Sequence, residues 1–453
     1  MKKYFAILSS AVFAAFAFAA KDSSPAAFKA GSNVCFLGDS ITQGGKYVKN
    51  IALFYATRYP LDRVNFYDKG IGGDTIQHLC KRLDEDVLSA KPNFATLMIG
   101  MNNIQYYHRK DMNDGFRAKI PENRKMYSEK LAELMDRLAA ANCSLILFTP
   151  SPYDETAKIN RPANVGKNLE LSYFSQVCKR MAHKRGLALV DMWSNMMRFK
   201  VLLQKDHPKL SVGGVDRIHP DAMGGFMMMS IFVDAMGEEK IVSAVDIDAG
   251  RGALMECFNC DVSNLKASAD GASFDLLEYS LPFPLDESAK LGDKYAGFAK
   301  EFNRQILKIG GLKEGKYALK IGGAKVGEYT SEELAEGVNL GLNEATPQYA
   351  QAFEAAKAAQ KYIAFCYKLR EINISEMIHK LDDIDTAEKR IERMEKILKT
   401  TKITHAHIRK CAMAYKDTKP KQAEMLAHSL ELLARVYDAA APKSRSYIIE
   451  KID

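Results

Sequence analysis

The sequence predicts an α/β fold on a parallel, doubly wound sheet for the first half of the chain, followed by a small β-rich unit and a helical carboxyl-terminal region. Three observations predict it. Between Ser32 and Val245, short apolar runs alternate with longer amphipathic ones, the pattern of buried strands joined by crossover helices. Beyond Ala249, short apolar segments are broken by Gly, Asn, Pro and Asp. From Thr330 onward the periodicity becomes helical. The expected units are residues 31–245, 250–329 and 330–453, in keeping with a 453-residue chain that exceeds one average domain.

Ahead of these units, residues 1–19 read as a cleaved export signal. Lys2 and Lys3 precede an apolar run from Tyr4 to Phe18, and Ala17-Phe18-Ala19 fits the small-x-small cleavage rule. A bacterial protein exported to the periplasm or beyond is expected, with cleavage after Ala19. No later apolar stretch approaches the length of a membrane span, so stable membrane insertion is not expected.

Strands are expected at Val34–Leu37, Arg63–Asp68, Phe94–Ile99, Ser144–Thr149 and Ala188–Asp191. The helices between and after them are expected at Lys46–Tyr59, Ile76–Ser89, Pro121–Ala141, Asn168–Arg185 and Met223–Met236, the last capped by Asp221. In the second unit, Ala272–Tyr279 and Gln305–Ile309 read as strands. Lys316–Ile321 reads as the second arm of a hairpin whose turn is Gly310-Gly-Leu-Lys-Glu-Gly315. The carboxyl-terminal helices are expected at Gln348–Lys368, Asn373–Lys399 and Gln422–Ala440.

Composition narrows the function classes. The formal charge of +8 is spread among alternating acidic and basic residues, without the concentrated basic block of a nucleic-acid binder. The eight cysteines are too sparse for a disulfide scaffold. Cys257-Phe-Asn-Cys260 lacks the second pair a zinc ribbon requires. No metal and no cofactor are expected.

Four polar clusters stand at strand ends or in a late loop. Val34-Cys-Phe-Leu-Gly-Asp-Ser40 runs from a strand into a tight turn that presents Ser40. A serine hydroxyl needs a base, and the base needs an acceptor to fix its tautomer. Asp216-Arg-Ile-His219-Pro220 supplies both, with the proline restricting the histidine backbone. Gly70-Ile-Gly72-Gly73-Asp74 and Gly100-Met-Asn102-Asn103 follow the second and third strands, offering backbone N–H groups and a side-chain amide to an oxyanion. Singly, the glycine-containing clusters read as capping turns, and Asp216 with His219 reads as a surface loop with a salt bridge. In a parallel sheet, all four meet at the carboxyl edge.

Gly38-Asp39-Ser40, Gly73, Gly100-x-Asn102 and Asp216-x-x-His219 resemble, in order, the four blocks of the SGNH (GDSL-like) hydrolase family. The resemblance covers Ser32–Val245. It implies a flavodoxin-like three-layer α/β/α domain and ester hydrolysis through an acyl-serine. By position it makes Ser40 the nucleophile, His219 the general base and Asp216 its orienting acid. The oxyanion donors it implies are the Ser40 and Gly73 backbone N–H groups and the Asn102 amide. Asn103 departs from the family, which usually carries Asp there, and the alignment leaves Gly72 as the neighbouring alternative to Gly73.

Substrate is argued separately. Asp39, beside the serine, and the Thr149-Pro-Ser-Pro-Tyr153-Asp154 segment after the fourth strand are candidate substrate contacts, an aromatic beside a carboxylate being suited to a sugar ring. The long extension resembles that of exported hydrolases acting on polysaccharides. An O-acyl, chiefly O-acetyl, glycan is the expected substrate. A lipid or aryl esterase of the same mechanism and a non-catalytic glycan-binding protein are the alternatives.

Overall fold

The computed structural model describes residues 28–104 and 118–452. The expected export signal at 1–19 lies outside the described residues.

The first unit follows the alternating pattern. Its elements are β1 (Asn33–Gly38), the single-turn helix α1 (Ser40–Gln43), α2 (Lys46–Arg58), β2 (Asn65–Gly70), α3 (Ile76–Arg82) and β3 (Phe94–Met98). They continue with α4 (Ile120–Ala140), β4 (Ser144–Phe148), α5 (Lys167–Arg185), β5 (Ala188–Val190), α6 (Met192–Asp206) and α7 (Ala222–Met236). All strand pairings are parallel, in the order β2-β1-β3-β4-β5. This is the flavodoxin-like order, whose switch point between β1 and β3 opens a crevice at the carboxyl ends of the strands. Strand β1 is buried on both faces, which explains its uninterrupted apolar run. Asp221 caps α7 by accepting from Gly224 N–H.

Helix α3 ends at Arg82, short of the expected Ser89. A wider π-helical turn, Leu83–Val87, and one 3₁₀ turn, Leu88–Ala90, replace its last part. The turn places Asp86 beside Arg82, with a 2.5 Å ion pair between them.

The second unit is a β-sandwich. Strands β6 (Ile241–Asp248), β7 (Ala253–Phe258), β8 (Cys260–Ser268) and β9 (Gly271–Glu278) are followed by helices α8 (Glu287–Ala296) and α9 (Phe298–Phe302). Next come β10 (Arg304–Gly310), β11 (Lys316–Ile321), β12 (Ala324–Thr330), α10 (Ser331–Glu336) and β13 (Val338–Asn339). One sheet has the order β13-β10-β6-β7. The other is β12-β11-β14-β9-β8, where β14 (Ser444–Lys451) ends the chain's described part. Val245, Ile247, Phe274, Leu307, Leu319 and Tyr447 share the core between them.

The expected hairpin of Gln305–Ile309 with Lys316–Ile321 does not form. β10 pairs with β6 and β13, and β11 pairs with β12 and β14, so the 311–315 segment crosses between sheets. Both strands alternate inward-facing residues, and facing sheets satisfy that alternation as well as a hairpin does. The true hairpin is β11–β12, turned by Gly322-Gly323, both at positive φ, as a two-residue loop of this hand requires.

The carboxyl-terminal helices are α11 (Pro347–His379), α12 (Ala387–Thr400), α13 (Ala406–Thr418) and α14 (Gln422–Ala439). The expected Asn373–Lys399 helix is divided at Lys380, which adopts a left-handed conformation, and α13 was not expected. These helices share the core of the first unit through Ala355, Tyr362, Cys366, Val436 and Tyr437. They also cover the outer edge of β2, where unpaired carbonyls need donors. Tyr437 Oη donates to Val64 O at 3.0 Å, and Tyr362 Oη donates to Phe66 O at 2.7 Å. Among the described residues, no helix is long and apolar enough to cross a membrane, and the eight cysteines are free thiols.

Candidate active site

Ser40 opens α1 directly after β1. The turn is tight: a Cβ at Gly38 would lie 2.1 Å from Thr42 Oγ1 and 2.8 Å from Met98 O, so only glycine fits. Asp39 caps α1 by accepting from Ile41 N–H at 3.0 Å. The cap fixes the Ser40 backbone, whose N–H has no carbonyl partner within the helix because it is the first helical residue.

Ser40 Oγ lies 2.7 Å from His219 Nε2, and His219 Nδ1 lies 2.5 Å from Asp216 Oδ2. The other carboxylate oxygen, Oδ1, accepts from the Ile218 and His219 backbone N–H groups at 3.0 and 2.9 Å. Burial would raise the Asp216 carboxyl, but these hydrogen bonds, led by the His219 ring, hold it down at about 2. The hydrogen bond to Asp216 raises the His219 pKa above its ordinary value, with burial opposing. A charged acceptor on Nδ1 leaves Nε2 free to take a proton from Ser40.

In the glycine loop after β2 the two neighbouring glycines differ in how their N–H groups are engaged. Gly72 N–H donates to Gln43 Oε1 at 2.6 Å. Gly73, at φ +84°, has no hydrogen-bond partner for its N–H among the described residues, and space opens where a Cβ would stand. The Asn102 amide donates to Asp74 O at 2.9 Å, which fixes its plane and leaves its second N–H available. Asn103 does the supporting work of the expected aspartate: its Oδ1 accepts from Ile76 N–H at 3.2 Å, and its amide donates to Gln77 Oε1 at 2.9 Å. The extra donor that Asn brings is matched by Gln77.

Three candidate substrate contacts are corrected. Asp39 is 2% exposed, and burial pushes its carboxyl up to about 6, so it supports Ser40 from behind. Tyr153 is 2% exposed and accepts from Asn164 N–H. Asp154 is fully buried; its Oδ1 accepts from Thr156 and Ala157 N–H groups, and its Oδ2 from Gln204. The segment instead braces the histidine loop. The buried Arg217 side chain donates to Asp154 O and Arg161 O, and Asp154 N–H donates to Arg217 O. Adjacency in sequence to a strand end suggested exposure, and burial overrides it.

Two residues escaped the sequence reading. Gln43 orients Gly72 from α1. Lys167, at the start of α5, is 7% exposed and stands 5.4 Å from the Tyr153 ring centroid. Burial lowers its pKa, and its charge bears on Asp39, Asp216 and His219. Neither carries a motif, because both are placed by helix geometry. Outside the site, Glu371, His407 and Cys411 on α11 and α13 bring side-chain N, O and S atoms within 4.8 Å of one another. None of them takes part in the Ser40–His219–Asp216 line.

Residues 36–224 match the model of the GDSL-like lipase/acylhydrolase family. This segment is a GDSL-like acylhydrolase domain. The protein is therefore a serine ester hydrolase. An acetylxylan esterase from Geobacillus stearothermophilus is 25% identical over 228 residues, covering 47% of this chain and 97% of that enzyme. Along nearly its whole length, the chain is similar to a gut microbial diltiazem-metabolizing enzyme, with TM-score 0.84 and 27% identity over 94% of this chain and 98% of that one. The β-sandwich and helical extension are thus shared with that structure.

Proposed function

We propose that this esterase removes O-acetyl groups from a carbohydrate through an acyl-serine intermediate, with Ser40 as nucleophile, His219 as general base and Asp216 as orienting acid. The continuous Ser40–His219–Asp216 hydrogen-bonded line carries the reading. Ser40 Oγ attacks the ester carbonyl as its proton passes to His219 Nε2. The tetrahedral oxyanion is received by the Ser40 and Gly73 N–H groups and the Asn102 amide. His219 then returns the proton to the departing sugar hydroxyl. Water, deprotonated by His219, releases acetate and restores Ser40.

Similarity to an acetylxylan esterase supports a carbohydrate ester. Export is part of the proposal and is motivated by the amino-terminal sequence. A second reading, a small drug-like ester, is favoured by the similarity over nearly the full chain to the diltiazem-metabolizing enzyme. The test incubates the pure protein with acetylated xylan, with diltiazem and with p-nitrophenyl octanoate. Acetate release from xylan, absent in Ser40→Ala, is the expected result. Turnover of diltiazem alone would favour the second reading, and preference for octanoate without acetate release would point to a lipid esterase.

A further inference from the structure

We propose that Arg370, on helix α11 of the carboxyl-terminal region, is a positioning residue for the oxyanion loop, making the helical extension a working part of the esterase site. The inference rests on the assignment of Gly73 and Asn102 as oxyanion donors.

The loop leaves β2 at Gly70 and returns at Asp74. Its inner side is held by β1, where Ile71 N–H donates to Gly38 O at 3.1 Å. β2 is an edge strand, so the outer side of the loop base has no strand beside it. Arg370 fills that side. Its Nε donates to Gly70 O at 3.1 Å and its Nη2 reaches Lys69 O at 3.4 Å. The same guanidinium grips Asp86 with both terminal nitrogens, at 2.8 and 2.6 Å.

The far end of the loop hangs on the same ionic chain. Asp86 pairs with Arg82 at 2.5 Å, and Arg82 holds Asp74 Oδ2 with Nε at 2.9 Å and Nη2 at 2.7 Å. The Asp74 carbonyl is in turn the acceptor that orients Asn102. Arg370, Asp86, Arg82 and Asp74 therefore tie both ends of the Gly70–Asp74 loop, and through it the Asn102 amide, to α11.

The arrangement is costly unless geometry is its purpose. The Arg370 and Asp86 side chains are 3% and 8% exposed. Burial would raise the Asp86 carboxyl, but Arg370, Lys69 and Arg82 hold it well below the usual carboxylate range, so Asp86 is charged, whereas burial raises the Asp74 carboxyl against the pull of Arg82. Buried ion pairs of this kind add little net stability over apolar packing, and here Arg370, Asp86 and Arg82 hold one another in one geometry through paired contacts. A planar guanidinium can bridge a carbonyl and a carboxylate at once, and a lysine ammonium cannot reproduce that fork.

The experiment measures kcat, KM and Tm of the full chain with p-nitrophenyl acetate for Arg370→Lys, Asp86→Asn and a control, Arg390→Lys. Arg390 pairs with Glu85 and Glu376 in the same interface but touches no residue of the loop. A loosened oxyanion site lowers kcat with little change in KM. For Arg370→Lys and Asp86→Asn we expect kcat to fall about 10–100-fold with KM within about threefold. Arg390→Lys is expected to lower Tm and leave kcat unchanged. The inference is overturned if kcat in Arg370→Lys stays within about twofold of the parent, or if kcat follows Tm alike in all three. Activity surviving in Ser40→Ala would bring down the site assignment and this inference together. Activity lost in Ser40→Ala but retained in Arg370→Lys refutes this inference alone.

Discussion

Replacing Asp216 by Asn tests the electrostatic logic of the site with little change in shape. In the parent, Asp216 Oδ1 accepts from the backbone N–H groups of Ile218 and His219, and Oδ2 faces His219 Nδ1 at 2.5 Å. An Asn carbonyl can keep the two backbone bonds, so the loop holds its course. Its NH₂ then occupies the Oδ2 position and points a donor at Nδ1. Two donors cannot face each other, so the ring proton moves to Nε2, 2.7 Å from Ser40 Oγ, where the proposed base must be bare. Loss of the correct tautomer in such triads lowers kcat about 10⁴-fold, or about 5 kcal/mol. The pH profile adds an independent sign. His219 must be neutral to act, and the Asp216 hydrogen bond raises its pKa. The parent kcat/KM should therefore fall as pH drops through a value above the ordinary histidine pKa of about 6.5. In Asp216→Asn the acid limb of the residual activity should lie at lower pH. Both are read from p-nitrophenyl acetate hydrolysis between about pH 5 and 9. A kcat within tenfold of the parent, or an unmoved acid limb, would refute the reasoning.

Asn102→Ala removes one of the proposed oxyanion donors and should lower kcat about 10²–10³-fold with KM nearly unchanged; a kcat within threefold would remove Asn102 from the site. Tyr362→Phe deletes the donor to Phe66 O on the β2 edge, inside the core shared with α11. The orphaned carbonyl should cost about 1–3 kcal/mol, seen as a lower thermal midpoint, and an unchanged midpoint would mean that water or another group satisfies that edge. Gly45→Ala should also destabilise the α11 docking, because a Cβ there would stand 2.3 Å from Ile363 Cγ1 and Gly45 sits at φ +66°. A variant with parental Tm would show that α11 yields freely at that point.

Much of the hydrolase domain was legible because its signals are local. An apolar run ending in Gly38-Asp39-Ser40 marks a buried strand and a capped turn, and three such clusters at the ends of parallel strands must share an edge. The pairing of β11 was not legible, since inward alternation in Tyr317 and Leu319 fits a hairpin arm and a facing sheet equally. The burial of Tyr153 and Asp154 was hidden for a related reason. It depends on Arg217, distant in sequence, whose guanidinium seals that segment against the histidine loop. The tie from Arg370 to Gly70 spans three hundred residues, and an arginine on a mixed-charge helix carries no mark of its target. Asn103 shows the opposite case. Its departure from the family pattern was visible, and the compensating Gln77 lies on the adjacent helix α3.

The central claim is that Ser40 is an activated nucleophile, and covalent labelling tests it most directly. The folded protein is incubated with an organophosphonate, and the adduct is located by intact mass and peptide mapping. The account predicts a single adduct on Ser40, formed rapidly in the parent and strongly slowed in His219→Ala. An unlabelled Ser40, an adduct on another residue, or equal labelling rates in parent and His219→Ala would contradict it.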